Sequence, residues 1–208
     1  MTRTAVVGLL VAFAAGLLVA ASSAATTTRL AIPGAGATVV VPSAWEVLDR
    51  RTVTNSAAFE RFLDENPALA PFAGQMRAAN SPIKLMAFDL KLTRRFSTNL
   101  NVVLSSPPPR NLTPAQVAAI YGRELKARLS TVRGPVSTRV VTLPSGNAVR
   151  ASYKVDFTNQ GQRLTVQTLQ YLVLRPTKSL VLTFSTLPAE AARRDATFTA
   201  IARSLRFS

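Results

Sequence analysis

The strongest pattern in the chain runs from Val149 to Phe157, where apolar and polar side chains alternate without a break. Val149, Ala151, Tyr153, Val155 and Phe157 fall on one side of an extended strand, and Arg150, Ser152, Lys154 and Asp156 on the other. Similar segments surround it, so Val136–Leu143, Asn147–Phe157, Gln162–Leu174 and Ser179–Thr186 read as four consecutive antiparallel strands. The residues between them, Pro-Ser-Gly, Thr-Asn-Gln-Gly and Arg-Pro-Thr-Lys, are turn formers. A two-residue loop at Ser145–Gly146 would set Arg139 opposite Ser152 and Val141 opposite Arg150. A loop over Thr158–Gly161 would set Asp156 opposite Arg163 and Lys154 opposite Thr165, with Leu164 and Val166 joining the apolar face. After Thr168 the apolar phase moves to Leu169, Tyr171 and Val173, which predicts either a bulge near Gln167 or helices over both faces.

Helical spacing appears on both sides of these strands. Thr113-Pro114-Ala115-Gln116 has a capping Thr, a Pro at the first helical position and a Gln placed to close a capping box. The helix it starts is expected to reach about Leu129 and to bury Val117, Ile120, Tyr121 and Leu125. A last helix over Pro188–Ser204 carries a stripe of Phe198, Ile201 and Leu205. Nearer the N-terminus, Ala37–Val41, Pro42-Ser43-Ala44 and Trp45–Asp49 read as strand, tight turn, strand, with Trp45 in the core. Ser56–Asn66 and Phe72–Asn80 read as short helices, the first with Phe59, Phe62 and Leu63 on one face. Ile83–Leu90 and Leu100–Leu104 read as strands, followed by the proline run Pro107–Pro109 as an extended link.

The first residues are of another kind. Met1–Arg3 is short and basic, Ala5–Ala21 is an unbroken run of 17 apolar residues, and Ser22, Ser23 and Ala24 are small. This is the layout of a secretory signal peptide cut between Ala24 and Ala25, leaving 25–208 as one domain. The alternative is an uncleaved membrane anchor, since the run is just long enough to span a bilayer. Either reading places the protein outside the cytoplasm, secreted or in the periplasm or cell envelope.

Composition narrows the chemistry. With no His and no Cys, the chain has no Ser-His or Cys-His dyad, no imidazole or thiolate metal ligand and no disulfide. No metal site and no cofactor are expected. The formal charge is +15, or +14 once Arg3 leaves with the leader. Only Lys84, Lys91, Lys126, Lys154 and Lys178 among the 25 basic residues are lysine, so an arginine-biased composition and an anionic partner account for the excess equally well.

Val41-Pro42-Ser43-Ala44-Trp45, the Gly146–Tyr153 hairpin, Tyr171, Leu182-Thr183-Phe184 and Phe198-x-x-Ile201-x-x-Ser204-Leu205 follow one another in a recognisable order. That order resembles the PsbP-like domains, a family named for an extrinsic subunit of the photosynthetic oxygen-evolving complex and shared by secreted bacterial proteins. The actinobacterial LpqN-type envelope lipoproteins are a similar branch, although this chain lacks their lipid-bearing cysteine. The resemblance implies an α+β fold, an α/β/α sandwich around a mainly antiparallel sheet, and a noncatalytic accessory or binding role.

On the residues themselves, the expected function is to dock on an envelope protein or an anionic lipid or polyanion, with peripheral membrane contact at most. Arg139, Arg150, Lys154 and Arg163 would form a cationic stripe for that purpose, flanked by Thr165 and Gln167, because clustered guanidinium groups pair bidentately with phosphate and carboxylate. The competing reading is an ordinary solvated face, or one covered by a helix and partly neutralised by Asp156. An enzyme would have to use carboxylates, a Ser-Lys pair or Tyr, and the clustered carboxylates Glu60, Asp64 and Glu65 have the spacing of an exposed helix face. Nucleic acid is not an expected partner, because no recognition motif is present and the aromatic residues fall on core faces.

Overall fold

Strands with apolar side chains on both faces need a covering layer on each side. The computed structural model, which describes residues 26–49, 56–65, 82–90, 96–159 and 162–208, shows both layers. The elements in chain order are β1 (Thr27–Ile32), β2 (Ala37–Pro42), β3 (Glu46–Asp49), α1 (Ser56–Glu65), β4 (Ile83–Asp89), β5 (Thr98–Ser105), α2 (Pro114–Arg128), β6 (Val132–Leu143), β7 (Gly146–Asn159), β8 (Gln162–Val173) and β9 (Ser179–Thr186). A 3-10 turn (Pro188–Glu190), α3 (Ala191–Ser204) and β10 (Arg206–Phe207) complete the order. The main sheet runs β3-β4-β5-β9-β8-β7-β6, and β1-β2-β10 form a smaller one. The paired strands in both are antiparallel.

One face of the main sheet presents Leu85, Ala87, Leu100, Val102, Leu169, Tyr171, Leu182 and Phe184. It is covered by Phe198, Ile201 and Ala202 of α3 and by Val39 and Val41 of the small sheet. The other face is covered in two places. Phe59 of α1 packs on Leu48, Met86 and Phe88, and Val117 and Ala118 of α2 pack on Val149 and Leu172. The phase change along β8 therefore reflects helices on both faces. Pairing of β8 with β7 and β9 is continuous through Gln167, so the alternative of a bulge there is not what the strand does.

Several expectations need correction. The strand, tight turn, strand over 37–49 is present, but its two strands do not pair with each other: β2 pairs with β1 and β10, whereas β3 pairs with β4 in the main sheet. The turn carries the chain from one sheet to the other, with Trp45 buried between them. On α2, Val117 and Ala118 are the buried residues, while Ile120 lies at the surface and Leu125 is half-buried. Gly122 explains the close approach of this helix, since a Cβ there would stand 3.1 Å from Thr138 Cγ2 of β6. The leader with its Ala24–Ala25 junction and the helix expected over Phe72–Asn80 lie outside the described residues.

Register differs from expectation in both hairpins, and by the same amount. Leu143 pairs with Gly146, so the first loop is Pro144–Ser145 and Arg139 lies opposite Arg150, with Ser137 opposite Ser152. Gly146, at φ 120°, joins the strand instead of the turn, a backbone conformation that suits glycine. Asn159 pairs with Gln162, which moves Asp156 opposite Thr165, Lys154 opposite Gln167 and Arg163 opposite Thr158. Each shift is two residues, one full period of a strand, so every side chain keeps the face that its sequence pattern predicted.

The capping box of α2 is present in full. Gln116 N donates to Thr113 Oγ1 at 3.3 Å, and Thr113 N donates to Gln116 Oε1 at 2.8 Å. Thr113→Ala removes one of these bonds and is expected to lower stability by about 1 kcal/mol, measured by urea denaturation of the two forms.

Candidate functional site

The polar face of β7 shares its side of the sheet with α3, and this decides what each cation can do. Arg150 sits near the helix, where its Nη2 donates to Asp195 Oδ1 at 2.6 Å and its Nε lies 3.4 Å from the Tyr171 hydroxyl. The Arg150 side chain is 19% exposed. Of the four residues of the expected stripe, Arg150 is thus withdrawn from the surface and ties the sheet to α3. The like charges of Arg139 and Arg150, directly opposite one another, are tolerated because Asp195 takes up the inner one.

Further along the same face, Asp156 gathers charge around itself. The Thr165 hydroxyl donates to its Oδ1 at 2.7 Å, Arg133 Nε donates to Oδ2 at 2.7 Å, and Arg163 donates to Oδ2 through Nε, at 3.0 Å, and Nη2. Together the hydroxyl and the two guanidinium groups hold this carboxyl well below the usual carboxylate range. Both arginines remain largely open to solvent, at 55% and 64% for Arg133 and Arg163. Lys154 is exposed opposite Arg133, Arg139 is exposed on β6, and neither makes an ion pair among the described residues.

The structure therefore gathers Arg133 and Arg163 on Asp156, leaves Lys154 exposed beside Arg133, places Arg139 further along β6 and removes Arg150. Arg133 was missed because the strand was expected to start at Val136, after Gly134–Pro135, whereas it starts at Val132. The strand in fact continues through them by a register shift between Arg133 and Ser137, with Gly134 at φ 69°. Gln167 of the expected flank bonds within the sheet, its Nε2 donating to Ser152 Oγ and to the Tyr153 carbonyl.

Among the described residues, openings lie on both faces of the sheet. One, of about 420 Å³, lies beside α3 and is lined by Arg150, Ser152, Gln167, Asp195 and Phe198 among others. Its guanidinium is already paired with the Asp195 carboxylate in the same lining, so an anion entering it would have to displace that partner. The other, of about 280 Å³, opens on the opposite face, where Met86, Phe96, Val155 and Val166 meet Asn101 and Thr183. Its lining carries no Asp, Glu, Lys or Arg, so the opening suits uncharged chemistry, and burial pushes the Tyr153 hydroxyl up from its ordinary value.

Of the carboxylates considered for catalysis, Glu60 and Asp64 are exposed on α1 and line neither opening, and the side chain of Glu65 lies outside the described residues. Among the described residues no group of three Asp or Glu side chains is placed to hold a metal ion, and no helix is long and apolar enough to cross a membrane. One further ion pair was not foreseen. Arg194 of α3 donates to Asp89 at the end of β4 at 2.8 Å, in a largely buried position, and so ties the start of α3 to β4 on the face that the helix covers.

Comparisons with known proteins bear on the fold. No family model and no curated protein matches the chain. Among solved structures, the cyanobacterial PsbP (CyanoP) of Synechocystis sp. PCC 6803 aligns with a TM-score of 0.50 at 13% identity, over 90% of this chain and 96% of that one. LpqN of Mycobacterium tuberculosis, described as involved in cell envelope biogenesis, aligns with a TM-score of 0.49 at 15% identity, over 86% and 89% of the two chains. The fold is PsbP-like, a mixed α+β arrangement around a mainly antiparallel sheet.

The Asp156 cluster has a pH signature. A carboxyl held low in the folded state contributes stability that is fully present above its unfolded value, near pH 4, and is lost as pH falls through the lower folded value. Asp156→Asn is expected to lower the melting temperature by a few degrees at about pH 7, with the gap to the unaltered protein closing below about pH 4. Thermal unfolding followed by circular dichroism across that range checks it.

Proposed function

We propose that this chain is a noncatalytic accessory or binding protein of the extracytoplasmic space, which docks through the exposed cations of β6–β8 on an anionic surface. The observation that carries the reading is the set Arg133, Arg139, Lys154 and Arg163 on one solvent-facing side of three adjacent strands, with Asp156 as the carboxylate bound among them. Four cations against one anion leave a local excess of positive charge, which draws an anionic partner in and orients it. The leader-like N-terminal pattern supports placement outside the cytoplasm, and the PsbP-like fold is consistent with an accessory role. The noncatalytic part rests on the absence of His and Cys and on the exposure of Glu60 and Asp64.

Co-sedimentation with phosphatidylglycerol vesicles and with neutral phosphatidylcholine vesicles, over a salt series, tests the reading. Binding to the anionic vesicles is expected to weaken as salt rises, and Arg139→Ser with Lys154→Ser is expected to reduce it by about tenfold at low salt. Equal binding to both vesicle types, or none to either, would count against it.

A further inference from the structure

The open edge of the main sheet lies beside these cations. β6 is the last strand in the sheet order, and among the described residues nothing pairs with its outer side. Its two halves differ. The first is blunted by the Gly134–Pro135 irregularity, a common protection of sheet edges. The second, Ser137–Leu143, pairs with β7 in unbroken register for seven residues and contains neither proline nor lysine.

The alternation of an antiparallel pair shows which backbone groups point outward. Leu143 and Gly146 close a two-residue loop and so exchange hydrogen bonds with each other, as then do Val141 with Ala148 and Arg139 with Arg150. The intervening residues Thr138, Val140 and Thr142 turn their N–H and C=O groups away from β7. The bond from Leu174 N to Asn147 O, 2.9 Å, agrees, because it turns the backbone of Asn147, the partner of Thr142, toward β8. Val140 is 39% exposed, a large apolar side chain at the surface in the centre of this edge.

We propose that β6 is a docking edge for an extended acidic segment of a partner protein, which adds to the sheet as an eighth strand beyond Ser137–Leu143. The proposal rests on the binding role argued above and names its partner class. The open N–H and C=O groups of Thr138, Val140 and Thr142 bond the backbone of the incoming strand. Its side chains on the α2 side of the sheet cover Val140, and those on the other side meet Arg139, with Lys154 and Arg133 further along. Carboxylates at every second position satisfy that pattern. A second copy of this chain does not: antiparallel pairing of two β6 strands about Val140 sets the two Arg139 side chains diagonally adjacent on one face, in molecules that each carry a large positive charge.

The test uses the full chain and a fluorescein-labelled ten-residue peptide that alternates Glu and Val, read by anisotropy. Two changes remove outer-edge hydrogen bonds: Val140→Pro on the protein, whose lost N–H points away from β7, and N-methylation of alternate amides on the peptide, tried in both registers. Val140→Pro is expected to weaken binding by about tenfold, the equivalent of one main-chain hydrogen bond, and N-methylation in the bonding register, which removes several such bonds, is expected to weaken it more. Arg139→Glu is expected to weaken the Glu/Val peptide more than a Gln/Val peptide. Should Val140→Pro unfold the protein by circular dichroism, the N-methylated peptides decide alone.

Failure of the Glu/Val peptide to bind, or equal binding by the N-methylated forms in both registers, overturns the docking edge. So does sedimentation equilibrium that shows a dimer dispersed by Val140→Pro. If the peptide fails while anionic vesicles still bind, the edge is wrong and the cationic face stands. If neither binds, both fall.

Discussion

The contact on which the rest of the arrangement depends is the seat of α3 on the main sheet. Phe198 stacks on Phe184, with ring centroids 4.8 Å apart, and Tyr171 meets Phe184 edge-on at 6.1 Å. Aromatic pairs in these geometries add to the area they bury, and here they sit at the junction of three layers. From this point polar bonds run outward. The Tyr171 hydroxyl lies within hydrogen-bond reach of Thr199 and Arg150, Arg150 holds Asp195, and Ser204 at the other end of the helix bonds the backbone of Val40 in the small sheet. The helix thus locks the second sheet onto the first and draws a boundary across the polar face of β7. On one side of that boundary an arginine is structural. On the other, cations remain at the surface.

Much of this was legible in the chain, and the parts that were not share a cause. Alternation along β7, the Thr113–Gln116 capping box and the stripe of Phe198, Ile201 and Leu205 are local patterns, and local patterns fix which way a side chain faces. Register is different, because one residue more or less in a loop slides a whole strand. Reading Ser145–Gly146 in place of Pro144–Ser145 as the turn displaced the pairing by two residues and kept every face. β1 and β10 escaped because Thr27–Ile32 carries no clean alternation and Arg206–Phe207 is too short to show any.

The same limit applied to the candidate site. That Arg139, Arg150, Lys154 and Arg163 lie on polar positions of neighbouring strands could be read directly. That Arg150 is consumed could not, since its partner Asp195 stands 45 residues away on a helix whose docking angle no local pattern encodes. Arg133 was hidden by the opposite error, a proline taken as a boundary where the strand tolerates it at an edge.

Position, more than total charge, is what the account asserts. A chain with this excess of arginine would adhere weakly to many polyanions wherever its cations lay, and salt would weaken that binding too. The most direct measurement therefore compares two charge-matched proteins on the same phosphatidylglycerol vesicles: Arg139→Ser with Lys154→Ser, and Arg123→Ser with Lys126→Ser on the exposed side of α2. Each loses two positive charges. The account predicts that the first pair loses most of the binding while the second retains it. Equal loss in both would show that the charge acts as a whole, and that the face formed by β6–β8 has no special part in it.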